Sequence, residues 1–510
     1  MNKLICLFLL VISTASFAKK VQIIHINDLH SYFTGYIDGR GGYSKIKTKI
    51  DELRATAAAK GIQSIVLDAG DWGEGNSYFL TEDGSNSYKA LGLLGVDVTI
   101  VGNHDHMMGG NSLSEQIAKA NISTKILSAN LIQTPEMNLE GVVIPETQLI
   151  VDGLKIHIIG LSTPEPHHQA ALLPGFMAPP EFHVFSLAKA AKLEKKADLV
   201  IALTHLGVAY DKKIAKKSEY LDIIVGGHSH DRLEEIVWQK NNKNKDIGIV
   251  QTGAHGLAVG SLIIDVDGKE NKVVSYKLHD INLSIAKNET VEQFMDVVLA
   301  QRNDLFDGRW DEVIGTSEIT ITGAFDGHTD KIATCWGQHM ARIVKSSTGA
   351  DVGLHLNVFA GMQSPAGPVT LGNLIDNFPH VRYFGDKGWE MSTFSLKGKI
   401  LKPLLKAIVA IRNVVGLNAD GFTYKSILFP IEIPFIGGKA LAFKLRINGK
   451  KINKDQEYTV SIPSELEYVL RTMLSKKAED ILPKVHSTGK FFWTEMEEYV
   501  RVNSPIKCIK

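Results

Sequence analysis

Val21-Gln22-Ile23-Ile24-His25-Ile26-Asn27-Asp28-Leu29-His30 is an apolar run that ends in a carboxylate and an imidazole two residues apart. Four more β-type runs also end in potential metal ligands. Residues 64–67 lead into Asp68-Ala69-Gly70-Asp71, 98–101 into Gly102-Asn103-His104-Asp105, 199–203 into Thr204-His205, and 223–225 into Gly226-Gly227-His228-Ser229-His230. Between these runs lie stretches with helical spacing, at 44–59, 87–94, 113–120 and 185–196, and one more apolar run at 155–161. Short β-type runs alternating with helices indicate a layered α/β domain. In open α/β sheets, sites form outside the carboxyl ends of the strands, which is where all these clusters would meet. An extended backbone at Asp28 and His30 directs both side chains to one side, and His228 with His230 repeats that spacing. Gly70, Gly102 and Gly227 permit sharp turns and close backbone approach beside the polar residues. Residues 251–266 read as two further strands that close the domain.

The donor types define the chemistry. Carboxylate oxygens together with neutral imidazoles suit Zn, Mn (manganese), Fe, Ni or Co, whereas Mg and Ca prefer all-oxygen shells. Two cations ~3.5–4 Å apart need a bridging anion, and Asp71, a lone carboxylate among histidines, fits that role. Any one cluster is weak evidence, since a strand-end histidine is more often structural. Their ordered recurrence is what carries weight.

In this order the clusters resemble the calcineurin-like dinuclear metallophosphoesterases, and more specifically their secreted two-domain 5′-nucleotidase and UDP-sugar hydrolase branch. The resemblance spans residues 21–265 and includes Gly41-Gly42, Leu91-Gly92, Ser128-Ala129-Asn130-Leu131 and Gln251-Thr252-Gly253-Ala254-His255-Gly256. It implies a four-layer α/β sandwich holding two divalent metal ions. One would be held by Asp28, His30, Asp71 and His230, the other by Asp71, Asn103, His205 and His228, with Asp71 bridging. It further implies in-line attack of water on phosphorus, with His104 as the catalytic residue that stabilises or protonates the leaving group. The substrate would be a small phosphorylated compound, nucleotides by default. The family's catalytic histidine is oriented by an aspartate at a position where this chain has Met107. Three alternatives stay open: Asp105 takes that role, another carboxylate does, or His104 works unassisted.

Beyond the clusters, residues 290–307 carry apolar positions on one helix face and read as a linker. After residue 312 the order changes to helices at 331–347 and 396–415 with strand-like runs at 443–447 and 458–461, an α+β unit of single-domain size. The expected division is a leader at 1–18, a catalytic domain at 19–285, a linker helix at 286–311 and a substrate domain at 312–510. The second-domain resemblance rests on Val313-Ile314-Gly315-Thr316, the strand before Asn357, and Gly367-Pro368-Val369-Thr370. Here the family's Asn-Gly-Gly-Ile-Arg loop, its stacking Phe and its late Gly-Gly-Asp-Gly loop are missing. Phe359, His380 and Arg382 are the candidates for rebuilding a substrate pocket, because such a slot needs aromatic planes and an anion clamp.

Composition bounds the rest. Lys+Arg and Asp+Glu number 56 each among 510 residues, so a nucleic acid polymer is not an expected partner. Lys3, the apolar run 4–12 and Ser16-Phe17-Ala18 follow the pattern of a signal peptide cut after Ala18, with a secreted or periplasmic (periplasm) destination. No later segment is long and apolar enough for a stable membrane span. Loss of the leader would leave Cys335 and Cys508, whose pairing the sequence does not decide; nor does it decide oligomeric state. Two rival readings remain: a thiosulfohydrolase-like relative acting on sulfur-linked substrates, and a metal-retaining binding protein without turnover.

Overall fold

The computed structural model describes residues 19–165, 172–267, 271–323, 332–412, 416–433, 438–467 and 483–509, so the expected leader lies outside the described residues. The first part of the chain forms two sheets. The seven-stranded sheet runs in the order Lys272–Asp280, Ala258–Val266, Lys19–Ile26, Gln63–Asp68, Val98–Ile100, Lys125–Leu127, Val143–Ile144. The six-stranded sheet runs Val237–Lys240, Asp246–Val250, Ile223–Gly226, Leu199–His205, Leu154–Ser162, Glu146–Val151. The middle strands of both sheets are parallel, so their carboxyl ends share one edge.

Side-chain alternation explains why the sheets stack. Val21 and Ile23 join Leu199, Ile201, Leu203, Ile223 and Val225 in one buried cluster between the sheets. Their neighbours Ile24 and Ile26 face outward onto the helices Tyr43–Ala58 and Ser85–Leu94. On the opposite face, Val200, Ala202 and Ile224 pack with helices Glu181–Leu193 and Val208–Lys217. Strands covered on both sides read as nearly unbroken apolar runs. The result is helix–sheet–sheet–helix, the four-layer arrangement expected.

Two local expectations need correction. Residues 251–257 are not a strand; the chain turns through Gly253, His255 and Gly256, all at positive φ, between Asp246–Val250 in one sheet and Ala258–Val266 in the other. The backbone at Asp28 and His30 is not extended either. Both lie in the left-handed region, with φ of 50° and 47°.

The linker helix spans Glu289–Leu305, with the Asn288 side chain accepting the Val291 N–H at its start. The second part is α+β. Its five-stranded sheet runs Leu417–Asp420, Val352–Leu356, Glu457–Pro463, Glu390–Lys397, His486–Phe491, with helix Cys335–Thr348 packed on it. A capping box between Thr370 and Asn373 starts the short helix Leu371–Asn377, which leads into the segment carrying His380. The helix read at 396–415 is Gly398–Ile411, and residues 413–415 lie outside the described residues. Cys335 and Cys508 form a disulfide that returns the end of the chain to the start of this unit, beside a bridge between Ser317 and Ile506.

Candidate metal centre

The seven ligand-type residues expected from the sequence converge at the shared strand edge. Asp28, His30, Asp71, Asn103 and His205 are each no more than 2% exposed. Asp28, His30, Asp71, His228 and His230 all have φ between 47° and 80°. Non-glycine residues rarely adopt that region, and such backbone concentrates at functional sites. The turned backbone is fixed by cross-loop bonds: the Asp28 N–H donates to Gly70 O at 2.9 Å and the His30 N–H to Asp71 O at 2.8 Å. Glycine is required at 102, because a Cβ there would lie 2.1 Å from Asp71 Oδ1.

Two donor sets share one carboxylate. Asp71 Oδ2 is 3.0 Å from His205 Nε2 and 3.7 Å from His30 Nε2. On one side, His230 Nε2 lies 3.2 Å from His30 Nε2 and 3.3 Å from Asp28 Oδ1. On the other, Asn103 Oδ1 lies 3.2 Å from His205 Nε2 and 2.9 Å from His228 Nδ1. His30 Nδ1 and His205 Nδ1 donate to the backbone carbonyls of Glu74 and Ala69, each at 2.7 Å. That tautomer aims the Nε2 lone pairs into the cluster, as orienting partners of metal-bound histidines do. The donors call for positive charge. Burial opposes a second proton on His205, yet Asp71 and Asp28 push it up to about 10. Burial likewise opposes ionisation of Asp71, but His205 and His104 hold it well below the usual carboxylate range. A set of neutral imidazoles, two carboxylates and an amide oxygen fits divalent Zn, Mn, Fe, Ni or Co.

His104 stands beside this cluster, its ring edge-on to His30 with centroids 4.7 Å apart and its N–H held by Asp71 Oδ1 at 2.8 Å. The carboxylate on its ring is Glu74: His104 Nδ1 donates to Glu74 Oε2. Asp105 has a different task, accepting backbone N–H groups of Asp71, Gly73 and Gly102 at 3.0, 2.8 and 2.7 Å. Sequence reading left Glu74 unnamed. Its signal is a carboxylate three residues past Asp71, flanked by Gly73 and Gly75. Gly75, at φ 138°, lets the chain pass His30, whose Cβ would be 2.7 Å from an added Cβ. His255, in the turn between the two sheets, also joins the site. Its ligand atom falls within 4.8 Å of those of His30 and His230, while its Nδ1 is 2.5 Å from Tyr36 Oη.

The second-domain candidates are not gathered into one slot. His380 is 7% exposed, stacked on Trp389 at 4.6 Å, with Nδ1 donating to Glu74 Oε1 and Nε2 to Phe359 O at 2.7 Å. The expectation that it offers a face to a substrate is corrected by that burial. Phe359 is half-buried, edge-on to Trp389, and Arg382 is exposed above the ring of Tyr383. A separate cavity of about 500 Å³ lies at the end of the linker helix, lined by Leu305, Phe306, Phe384, Lys387 and Trp493. No residue of the metal cluster lines it.

Residues 21–232 match the calcineurin-like phosphoesterase family. The chain is 26% identical to the trifunctional nucleotide phosphoesterase protein YfkN of Bacillus subtilis, over 86% of this chain but only 31% of that protein. It is 24% identical to protein UshA of Yersinia enterocolitica, over 95% of this chain and 92% of that one. At the level of fold, it superposes on a 5′-nucleotidase precursor from Thermus thermophilus with a TM-score of 0.79 at 21% identity, covering 96% of this chain and 98% of the other. The matched segment is the one that brings the strand-end donors together, and residues 21–232 form a calcineurin-like phosphoesterase domain.

Proposed function

We propose that this protein is an exported hydrolase of small phosphate esters or anhydrides, with nucleotides as the first substrate class. The single observation that carries the reading is the Asp71 carboxylate, placed between two separate donor sets at 3.0 and 3.7 Å. Asp28, His30, Asp71 and His230 would hold one divalent cation, and Asp71, Asn103, His205 and His228 the other. When bound, the cations supply water activation and neutralise charge on the phosphoryl oxygens.

The chain's own residues do the rest. Asp71 spans both sets, and the carbonyls of Ala69 and Glu74 keep His205 and His30 in the ligating tautomer. Glu74 holds His104 through Nδ1, which leaves Nε2 as the edge that gives its proton to the leaving oxygen. Burial works against a charged His104, but Asp71 and Glu74 outweigh it and push the ring up to about 9. A binding protein without turnover has no use for an oriented acid beside its metals. The division into catalytic domain, linker helix and substrate domain belongs to this proposal, with Phe359 and Arg382 as candidate substrate contacts.

The names of the Bacillus relative and the Thermus structure support nucleotides as substrates. Export rests on residues 1–18, and the Cys335–Cys508 disulfide suits an oxidising compartment. The test is hydrolysis by metal-depleted protein reloaded with Mn, Zn, Fe, Ni or Co, read as phosphate from nucleotides, as phosphomonoester from sugar nucleotides and cyclic nucleotides, and as sulfate from thiosulfate conjugates. Metal-dependent cleavage of the phosphorus-containing substrates is expected. Turnover of the thiosulfate conjugates alone would replace this reading with the sulfur-linked one.

A further inference from the structure

Glu74 sits where the two domains meet. Its backbone carbonyl accepts from His30 Nδ1, one carboxylate oxygen from His104 Nδ1, and the other from His380 Nδ1. The Glu74 side chain is 3% exposed and that of His380 is 9%. His380 is otherwise held within its own domain, by Phe359 O on Nε2 and by the Trp389 ring beneath it. Its bond to Glu74 is therefore a fixed donor reaching across the boundary. The surrounding contact is reinforced nearby: Ser77 donates to Asp376, whose carboxylate is 3.9 Å from Arg302 on the linker helix.

A buried carboxylate needs donors on both oxygens. The Glu74 main chain is held by His30 Nδ1 on its carbonyl and by Asp105 on the Gly73 N–H, so what His380 fixes is the side chain. Removing the His380 N–H would leave one oxygen unsatisfied and release the side chain to find another donor. The His104 ring, tied to the same carboxylate, would turn with it. The metal ligands are braced differently, by bonds that stay inside the first domain: Asp28 N–H to Gly70 O, His30 N–H to Asp71 O, and His205 Nδ1 to Ala69 O.

We propose that His380 is a positioning residue for leaving-group protonation: by holding Glu74 it fixes the ring of His104, so the acid step requires the domains to be docked while metal binding does not. This deepens the phosphoesterase reading and rests on it.

The test uses the full chain, metal-loaded, with His380→Phe and His380→Asn. Phenylalanine keeps a ring on Trp389 and deletes both N–H groups. Asparagine places an amide N–H near the position of Nδ1. Metal content should be unchanged in both. For an alkyl phosphate, His380→Phe should lower kcat about 10- to 100-fold, short of the ~10²–10⁴ that an acid supplies in full. For nitrophenyl phosphate, whose leaving group needs no proton, the loss should be within about threefold. His380→Asn should recover part of the alkyl rate. Equal losses on both substrates, or none on either, would overturn the proposal. A readout independent of turnover is the imidazole N–H resonance of His104 in histidine-labelled protein, assigned by its loss in His104→Ala. It should exchange faster with water in His380→Phe, and an unchanged resonance would overturn the proposal by itself. A wild-type chain that hydrolyses neither ester would instead count against the phosphoesterase reading.

Discussion

Asp105 Oδ2 accepts the backbone N–H of Asp71 at 3.0 Å. The same carboxylate takes the N–H groups of Gly102 and Gly73, so one side chain ties together the loops that carry the bridging aspartate and Asn103. Asp105→Ala would leave buried donors without acceptors, at a cost of at least about 1–3 kcal/mol. Urea unfolding should show that loss, and metal content should fall with it. Asp105→Asn, which keeps one acceptor oxygen, should fall between the two. Wild-type stability in Asp105→Ala would refute the bracing role.

Asp71→Ala removes the carboxylate nearest to both His30 and His205, at 3.7 and 3.0 Å, where Asp28 Oδ1 stands 3.9 Å from each. Metal per chain, measured by elemental analysis after dialysis, should drop for both sites together, with turnover lost. Retention of one full equivalent at undiminished affinity would show that the two donor sets are independent.

His104→Ala should reduce kcat on an alkyl phosphate by about 10²–10⁴-fold with metal content unchanged. The reduction should shrink for nitrophenyl phosphate. A loss that ignores the leaving group would assign His104 to binding or charge stabilisation instead.

His25 tests the pH dependence of stability. Among the described residues neither of its ring nitrogens has a hydrogen-bond partner, and burial lowers its pKa from 6.5 to about 3. The unfolded chain therefore takes up a proton near 6.5 while the folded chain resists it until about 3. The stability contributed by this neutral ring is whole above the upper value and lost progressively as pH falls toward the lower. His25→Leu should gain on wild type by up to about 1.4 kcal/mol for each pH unit descended between about pH 6 and pH 4. Parallel stability profiles for the two proteins would contradict this.

Substrate preference follows from the second domain. His380 is committed to Glu74, and Arg382 is exposed, so a base–aromatic slot lacks a wall. Such stacking is worth ~1–3 kcal/mol, or about one to two decades in affinity. AMP should then have a kcat/KM no better than nitrophenyl phosphate under matched metal conditions. A strong AMP preference that Phe359→Ala abolishes would show a rebuilt pocket.

The residues of the candidate metal centre were legible because two local signals coincide at each: an apolar run buried on both faces, and a residue type that coordination chemistry restricts. The conformation of those residues was not. Asp and His tolerate positive φ better than most side chains, but only the bonds from Asp28 and His30 to the facing loop select it. Glu74 was hidden for another reason. Its partners His104 and His380 are 30 and 306 positions away, one of them in another domain. Distance along the chain erases the pattern that strand ends preserve. The turn at 251–257 was misread because its glycines break a stretch whose flanks are both strands.

Among the described residues every strand of the paired sheets lies within 19–280, and every later strand begins at Val313 or beyond, so the two halves follow one another along the chain. The Cys335–Cys508 bond closes the later half on itself. The halves are thus exchangeable parts in the engineering sense, joined by one splice at the linker helix. The division of labour is unequal, since the full set of metal donors travels with the first half. A foreign second half could bring a new substrate preference without rebuilding the reaction centre, provided it delivers a hydrogen-bond donor to Glu74 Oε1, the oxygen that His380 holds here, and an acceptor to Ser77.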